Sequence, residues 1–171
     1  GTSTGYATAD FERWPGAARV MLVTLMLIGA CAGSTSGGLK QIRVLVVVRH
    51  AFVELQRLVY PHRVVHVKVQ GERVSEKVMS AIIGAFTLYV LLLVAGAFFY
   101  ALLPGFDLTT AFTCSATMIG NVGPALGQIG PAYNFAWIAD AGKVVCYLQM
   151  LLGRLEIYTV LVLLLPAIYR R

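Results

Sequence analysis

The sequence predicts an all-α membrane protein in which long apolar helices are broken in mid-course. Three observations carry this reading. The 171 residues are 58% hydrophobic and only 13% charged, with a mean hydropathy of +0.75. Soluble domains run at about 45–50% apolar and about 25% charged. Two apolar segments exceed one crossing and are interrupted by glycine or by charge, and a third segment is too short to cross at all.

The net charge of +6 is unevenly placed. Eight of the fourteen Lys and Arg residues fall between Lys40 and Lys77, and Arg170 and Arg171 close the chain. That is the pattern of a cytoplasmic loop and tail, not of a nucleic-acid surface. Cys31, Cys114 and Cys146 are far apart and in apolar surroundings, so neither a disulfide framework nor a zinc spacing is present. No signal peptide is visible. The chain opens on Gly1-Thr2-Ser3-Thr4-Gly5 without a Met, and the expectation is the C-terminal part of something longer.

The first apolar segment, Ala17 to Val48, would be on the order of 48 Å as a helix, against a hydrocarbon core of roughly 30 Å. Ala17 to Ile28 reads as helix. Gly29 to Gly38 does not, because four glycines and three hydroxyl residues weaken a helix there. Leu39 to Val48 is apolar again. The prediction is a broken transmembrane helix. His50 to Lys77 is a connector: an amphipathic interfacial helix over Ala51–Val59 ended by Pro61, a short strand over Val64–Val69, and a turn at Gly71.

Val78 to Leu103 is an uncharged span stopped by Pro104-Gly105. Asp107 to Met118 is a short helix that Asp107 or Thr109 can cap. Ile119-Gly120-Asn121-Val122-Gly123-Pro124 is expected to leave the helix and return as an extended strand. Non-helical backbone at that depth is tolerated only where protein or water surrounds it. The last segment, Phe135 to Ile168, is interrupted at Gly153-Arg154, and Asp140 and Lys143 can pair on one face. By charge asymmetry, residues 50–77 belong inside, and 104–107 and 127–134 near the outer face.

Thr4-Gly5-Tyr6 resembles the filter strings of potassium channels. Gly permits backbone angles that aim successive carbonyls into one axis, where they replace an ion's water shell. The bland alternative is an ordinary Gly turn. A second Gly-centred string, Met118-Ile119-Gly120-Asn121, repeats the pattern after a re-entrant helix. Gly33-Ser34-Thr35-Ser36-Gly37-Gly38-Leu39-Lys40 is not a phosphate loop, since Leu39 stands where Lys is needed. Gly29, Gly33 and Gly37 are four apart and also suit close helix packing. Arg154, in an apolar stretch, needs a partner or water and reads equally as structural or as gating. His50, His62 and His66 are ordinary interfacial residues, and no catalytic constellation supports an enzyme.

Together these strings resemble the Trk/Ktr family of bacterial potassium-uptake proteins, specifically the TrkH-like transmembrane subunit. The residues that carry the resemblance are Thr2 to Phe11, Gly29 to Lys40, Gly120-Asn121-Val122-Gly123-Pro124, and Leu151 to Ile157. It implies helix–pore-loop–helix repeats, four in a full subunit, around one pore in the bacterial inner membrane. Residues 1–49 would be the end of the third repeat, 50–77 a cytoplasmic connector, and 78–171 the fourth repeat. The resemblance assigns potassium-binding filter positions to Ser3, Thr4, Gly5, Met118, Ile119 and Gly120, with Asn121 next. It assigns a gate to Gly29, Gly33, Ser34, Thr35, Ser36, Gly37 and Gly38, faced by Arg154. It implies no cofactor beyond the transported potassium ion, and either channel-like conduction or symport. The implied partners are membrane lipid, the remaining pore repeats, a second copy in a homodimer, and a cytoplasmic nucleotide-binding regulatory subunit. The rival class is a membrane scaffold whose glycines serve helix contacts.

Overall fold

The computed structural model describes residues 5–29, 31, 37–60, 67–69, 72–155 and 157–163. A 3-10 turn at Phe11–Arg13, with Asp10 accepting from Glu12 N, leads into α1 (Gly16–Leu27). The helix stops at Ile28, where the glycine-rich composition predicts a break. Gly29 N donates to Leu39 O at 2.8 Å, and Ile28 and Leu39 form a parallel bridge. The loop is therefore pinched shut at its neck. A Cβ on Gly29 would lie 2.7 Å from Gly37 O, so a side chain there would prise the neck open. Gly33, Ser34, Thr35 and Ser36 lie outside the described residues.

Beyond the neck, α2 runs unbroken over Gln41–Val59. The separate interfacial helix expected from Ala51 is thus the second half of one helix, and the expected boundary between residues 49 and 50 falls inside it. No Gly or Pro separates Val48 from Ala51, and Val46 and Val53, seven apart, bury on one face against Val67 and Met79. β1 (Lys68–Val69) and β2 (Glu72–Arg73) pair antiparallel, Lys68 opposite Arg73; Pro61, Gly71 and residues 64–66 of the predicted strand lie outside the described residues. Arg49 Nη1 donates to Lys68 O at 2.6 Å and ties this hairpin to α2.

Next comes α3 (Glu76–Ala101). It begins two residues earlier than hydropathy predicts because Ser75 caps it, accepting from Val78 N, and Glu76 suits the positive first turn. Among the described residues it is the one helix long and apolar enough to cross a membrane. Ala85, Tyr89, Leu93, Gly96 and Tyr100 recur every three or four residues and form its buried face. Val90, Leu91, Val94 and Phe98 stand exposed on the other, an apolar surface suited to lipid.

The remaining helices are α4 (Leu108–Gly120), α5 (Asp140–Arg154) and α6 (Ile157–Leu163). The interruption predicted at Gly153-Arg154 is where α5 ends. Residues 135–139, expected at the head of this segment, are irregular instead; Trp137 packs there on Phe106, ring centroids 4.8 Å apart. Asp140 and Lys143 pair at 3.2 Å, as their spacing predicts.

A buried polar chain joins α3, α4 and α5. Ser115 Oγ donates to Leu93 O at 2.7 Å, and Gln149 Nε2 donates to Ser115 Oγ at 2.9 Å and to Leu92 O at 3.1 Å. Tyr100 donates to Gln149 Oε1 at 2.9 Å. Gly96 makes room for it: a Cβ there would overlap Gln149 Nε2 and lie 2.6 Å from Ser115 Oγ. Gly96→Val is expected to destabilise the protein by about 1–3 kcal/mol through overpacking. Thermal melting of the purified protein checks this, and an unshifted transition would contradict the packing described.

Candidate functional site

At 13 residues, about 20 Å, α4 is too short to cross a bilayer. It nevertheless has ten buried residues and lies among α1, α3 and α5. Asp107 caps it, accepting from Thr110 N at 3.1 Å. Hydrogen bonding from Thr110 holds the Asp107 carboxyl below the usual carboxylate range. The cap therefore contributes at neutral pH, and its contribution is lost as pH falls through that lowered value.

One face of α4 is a row of hydroxyls at 110, 113 and 117, spaced to stack on one side of a helix. They hold the chain that returns beside it. Thr117 Oγ1 accepts from Gly123 N at 2.9 Å and donates to Pro124 O at 3.1 Å. Thr113 Oγ1 accepts from Leu126 N at 3.3 Å while donating to Thr109 O at 2.7 Å. Thr110 Oγ1 accepts from Gln128 N at 3.2 Å. Backbone groups that water would otherwise satisfy are thus paired with side chains.

The helix end is set by Asn121. Its φ of 53° and ψ of 44° are left-handed, a conformation Asn tolerates better than most residues. Asn121 N donates to Met118 O at 3.2 Å and Val122 N to Thr117 O at 3.1 Å. This is the paired closure typical of a helix ended by one left-handed residue. It corrects the expectation for Ile119 and Gly120, which are helical, not extended, and carry the helix past its expected end at Met118. The Met118 carbonyl is already engaged. The extended return starts at Val122.

Gly5 meets that return. A Cβ on Gly5 would lie 2.7 Å from Val122 O, and one on Gly123 would lie 3.9 Å from Gly5 Cα. Both glycines have positive φ, 76° and 109°. The partner of Gly5 is therefore the 122–123 segment. Ser3 and Thr4 lie outside the described residues. Farther along the return, Glu12 accepts from Gly127 N at 2.9 Å and pairs with Arg19 at 3.3 Å, so the chain after Gly5 also clamps its far end.

Gly120 belongs to a different contact. A Cβ on it would lie 3.0 Å from Met26 O, and one on Gly38 would lie 3.6 Å from Gly120 Cα. A Cβ on Gly37 would lie 2.6 Å from Asn121 Nδ2, and one on Gly153 would overlap Ile119 O. Gly37 and Gly38 of the broken-helix loop thus rest on the C-terminal end of α4, with Gly153 of α5 closing the other side. Asn121 Nδ2 donates to Met150 O at 3.0 Å and locks α5 to the same point. Arg154 is exposed at the end of α5 and makes no hydrogen bond or ion pair among the described residues. Also among the described residues, no three His, Cys, Asp or Glu side chains converge as metal ligands.

Sequence reasoning missed the threonine row and Asn121 as the helix end. Both leave a signal: hydroxyls at i, i+3 and i+7, and an Asn followed within three residues by Gly and Pro, a common helix stop.

A buried half-length helix, a return strand held by its own hydroxyls, and a glycine strand from an earlier segment beside it define a helical membrane protein of the re-entrant-loop class. The chain belongs to the TrkH family: the family model described as TrkH, cation transport protein, matches residues 1–167. It is 40% identical to the Trk system potassium uptake protein TrkI of Halomonas elongata, over 99% of this chain and 35% of that protein. It is 39% identical to the Trk system potassium uptake protein TrkH of Vibrio parahaemolyticus, over 99% of this chain and 34% of that protein. The crystal structure of the potassium transporter TrkH from Vibrio parahaemolyticus superposes with a TM-score of 0.86 at 38% identity, covering 99% of this chain and 36% of that one. The chain thus spans about a third of the length of these relatives, and its fold is that of an all-helical membrane protein.

Thr117→Val tests the hydroxyl row. It removes the acceptor for Gly123 N and the donor to Pro124 O at nearly constant volume. The expected cost is about 1–3 kcal/mol from an unsatisfied buried amide, read as a lowered melting temperature. An unchanged temperature would mean that the return strand is not held by Thr117.

Proposed function

We propose that this chain forms part of a potassium-uptake pore of the bacterial inner membrane, with the Gly5 strand and the Asn121–Pro124 strand as two of its filter segments. The single observation that supports this most is the approach of Gly5 to Val122–Gly123, two positive-φ glycine strands side by side. Left-handed glycines interrupt the ordinary alternation of carbonyl direction along a strand and let successive carbonyls face one axis, which is what a cation path lined by carbonyls requires. The C-terminal end of α4, with its partial negative charge, abuts the same strand. The relatives named as potassium uptake proteins supply the cation. Ser3 and Thr4, which lie outside the described residues, are the filter positions that the family resemblance assigns ahead of Gly5. In the fourth repeat this reading moves the filter from Met118–Gly120 to Asn121–Pro124, because the former are part of helix α4 and the Met118 carbonyl accepts from Asn121 N. The remaining repeats, a second copy and a cytoplasmic nucleotide-binding subunit complete the assembly, with residues 50–77 on the cytoplasmic side.

In the complete protein, Gly123→Ala is expected to reduce potassium-over-sodium selectivity at least about tenfold, since the strained position would redirect its carbonyls. Gly120→Ala is expected to leave selectivity within about twofold and to act on stability instead. Rubidium and sodium uptake in proteoliposomes separates the two. Selectivity lost at Gly120 and kept at Gly123 would restore the original assignment. Loss of assembly with selectivity intact at both would favour the scaffold reading.

The loop Gly29–Gly38 is proposed as the gate beneath this filter, with Arg154 as the cation that holds it shut. A fixed positive charge on the conduction path opposes potassium, and an Arg in an apolar setting seeks carbonyls or water. Arg154→Ala in the complete protein is expected to raise resting rubidium flux severalfold, and so is a deletion within Ser34–Gly37. A well-folded Arg154→Ala protein with unchanged or lower flux would rule this out.

A further inference from the structure

Four sulfur atoms that the proposed pore does not use are gathered beside its filter strand. Cys114 and Met118 are four apart on α4, and Cys146 and Met150 are four apart on α5. Each pair therefore projects from one face of its helix. The two helices pack together. Cys114, Met118 and Cys146 share one buried cluster, and Met150 packs against it. The Tyr100 hydroxyl lies 3.3 Å from Cys146 Sγ.

Met118, Cys146 and Met150 also line one cavity of about 470 Å3. Asn121, Val122 and Gly123, of the proposed filter strand, also line it. Hydrophobic packing alone is served as well by Leu or Val; it does not call for two thioethers and two thiols at matching helical positions. Sulfur donors of this kind select soft, monovalent d10 cations over potassium, sodium or magnesium. Lys143 reaches the same cavity, but its charge is balanced by Asp140 at 3.2 Å.

We propose that Met118, Cys146 and Met150, backed by Cys114, form a binding site for a soft monovalent metal ion of the Cu(I) or Ag(I) type, and that its occupation blocks the adjacent strand. The metal forms a bond to Cys146 Sγ as the thiol proton leaves to solvent, so the site is neutral when filled. The two thioethers complete the coordination as neutral donors. No change of oxidation state is involved. The cation needs no dedicated route: it carries the same charge as potassium and enters through the cavity on which the filter strand borders.

The test uses Ag(I), supplied as the nitrate, and the complete protein with Cys31→Ser, because Cys31 is an exposed thiol that would bind silver independently. Binding is measured by competition with a chelator, without reference to flux. The Met118→Leu/Met150→Leu double variant is the decisive comparison, since Leu for Met conserves volume and should fold. It is expected to weaken one equivalent of Ag(I) by about ten- to hundredfold, and Cys146→Ser should abolish that equivalent. Rubidium flux in the parent should be blocked by Ag(I) at the concentration that fills the site, and flux in the double variant should survive it. Unchanged binding in the double variant would overturn the proposal, and so would binding that depends on Cys146 but not on either Met. The binding arm stands apart from the pore reading: silver bound as described without any effect on flux would retain the site and remove its role beside a filter.

Discussion

A chain that turns back inside an apolar medium exposes backbone amides and carbonyls that water cannot reach. Here the hydroxyls of Thr110, Thr113 and Thr117 take up Gln128 N, Leu126 N, Gly123 N and Pro124 O. A threonine suits this work because it offers donor and acceptor together on a short, stiff stem. Those bonds fix how far the return strand stands from its helix, and that distance decides where Gly5 can meet it. The placement of both glycine strands follows from satisfying backbone polarity.

Glycine plays two distinct roles around this core. Gly5 and Gly123 are needed for their backbone angles, which other residues reach only with strain. Gly29, Gly37, Gly96 and Gly153 are needed for space, each lying where a Cβ would strike a carbonyl or an amide side chain. The distinction matters functionally. The first kind lies along the proposed ion path. At the C-terminal end of α4 the second kind lets Gly37 of the broken-helix loop meet Asn121 and Gly153 of α5 meet Ile119.

The polar chain Ser115–Gln149–Tyr100 on the opposite face of α4 does for helix packing what the threonines do for the strand. Lipid offers no hydrophobic drive between helices, so buried hydrogen bonds and close small-residue contacts hold α3, α4 and α5 together. At the other end, Val46, Val53, Val67 and Met79 form a separate apolar cluster under the hairpin. The connector is therefore packed onto the start of α3 and the middle of α2.

Much of this molecule was legible in its residues. Hydropathy and charge placement determined the membrane class, and the density of Gly, Ser and Thr marked the break after Ile28. The Asp107 cap, the Asp140–Lys143 pair and the interruption at Gly153-Arg154 followed from local spacing, because each depends on neighbours within one or two helical turns. What the residues could not decide was which glycine partners Gly5. Gly120 and Gly123 look alike in sequence, and a glycine is a poor helix former wherever it stands. The helix keeps Gly120 because Asn121 supplies the left-handed turn one residue later, and the threonine row then draws Gly123 into line. Whether α2 runs through residues 49 and 50 was likewise settled by a distant contact, Val46 and Val53 against Val67 and Met79. Local rules set where a helix can stop; the partner groups brought from elsewhere in the chain decided where it does.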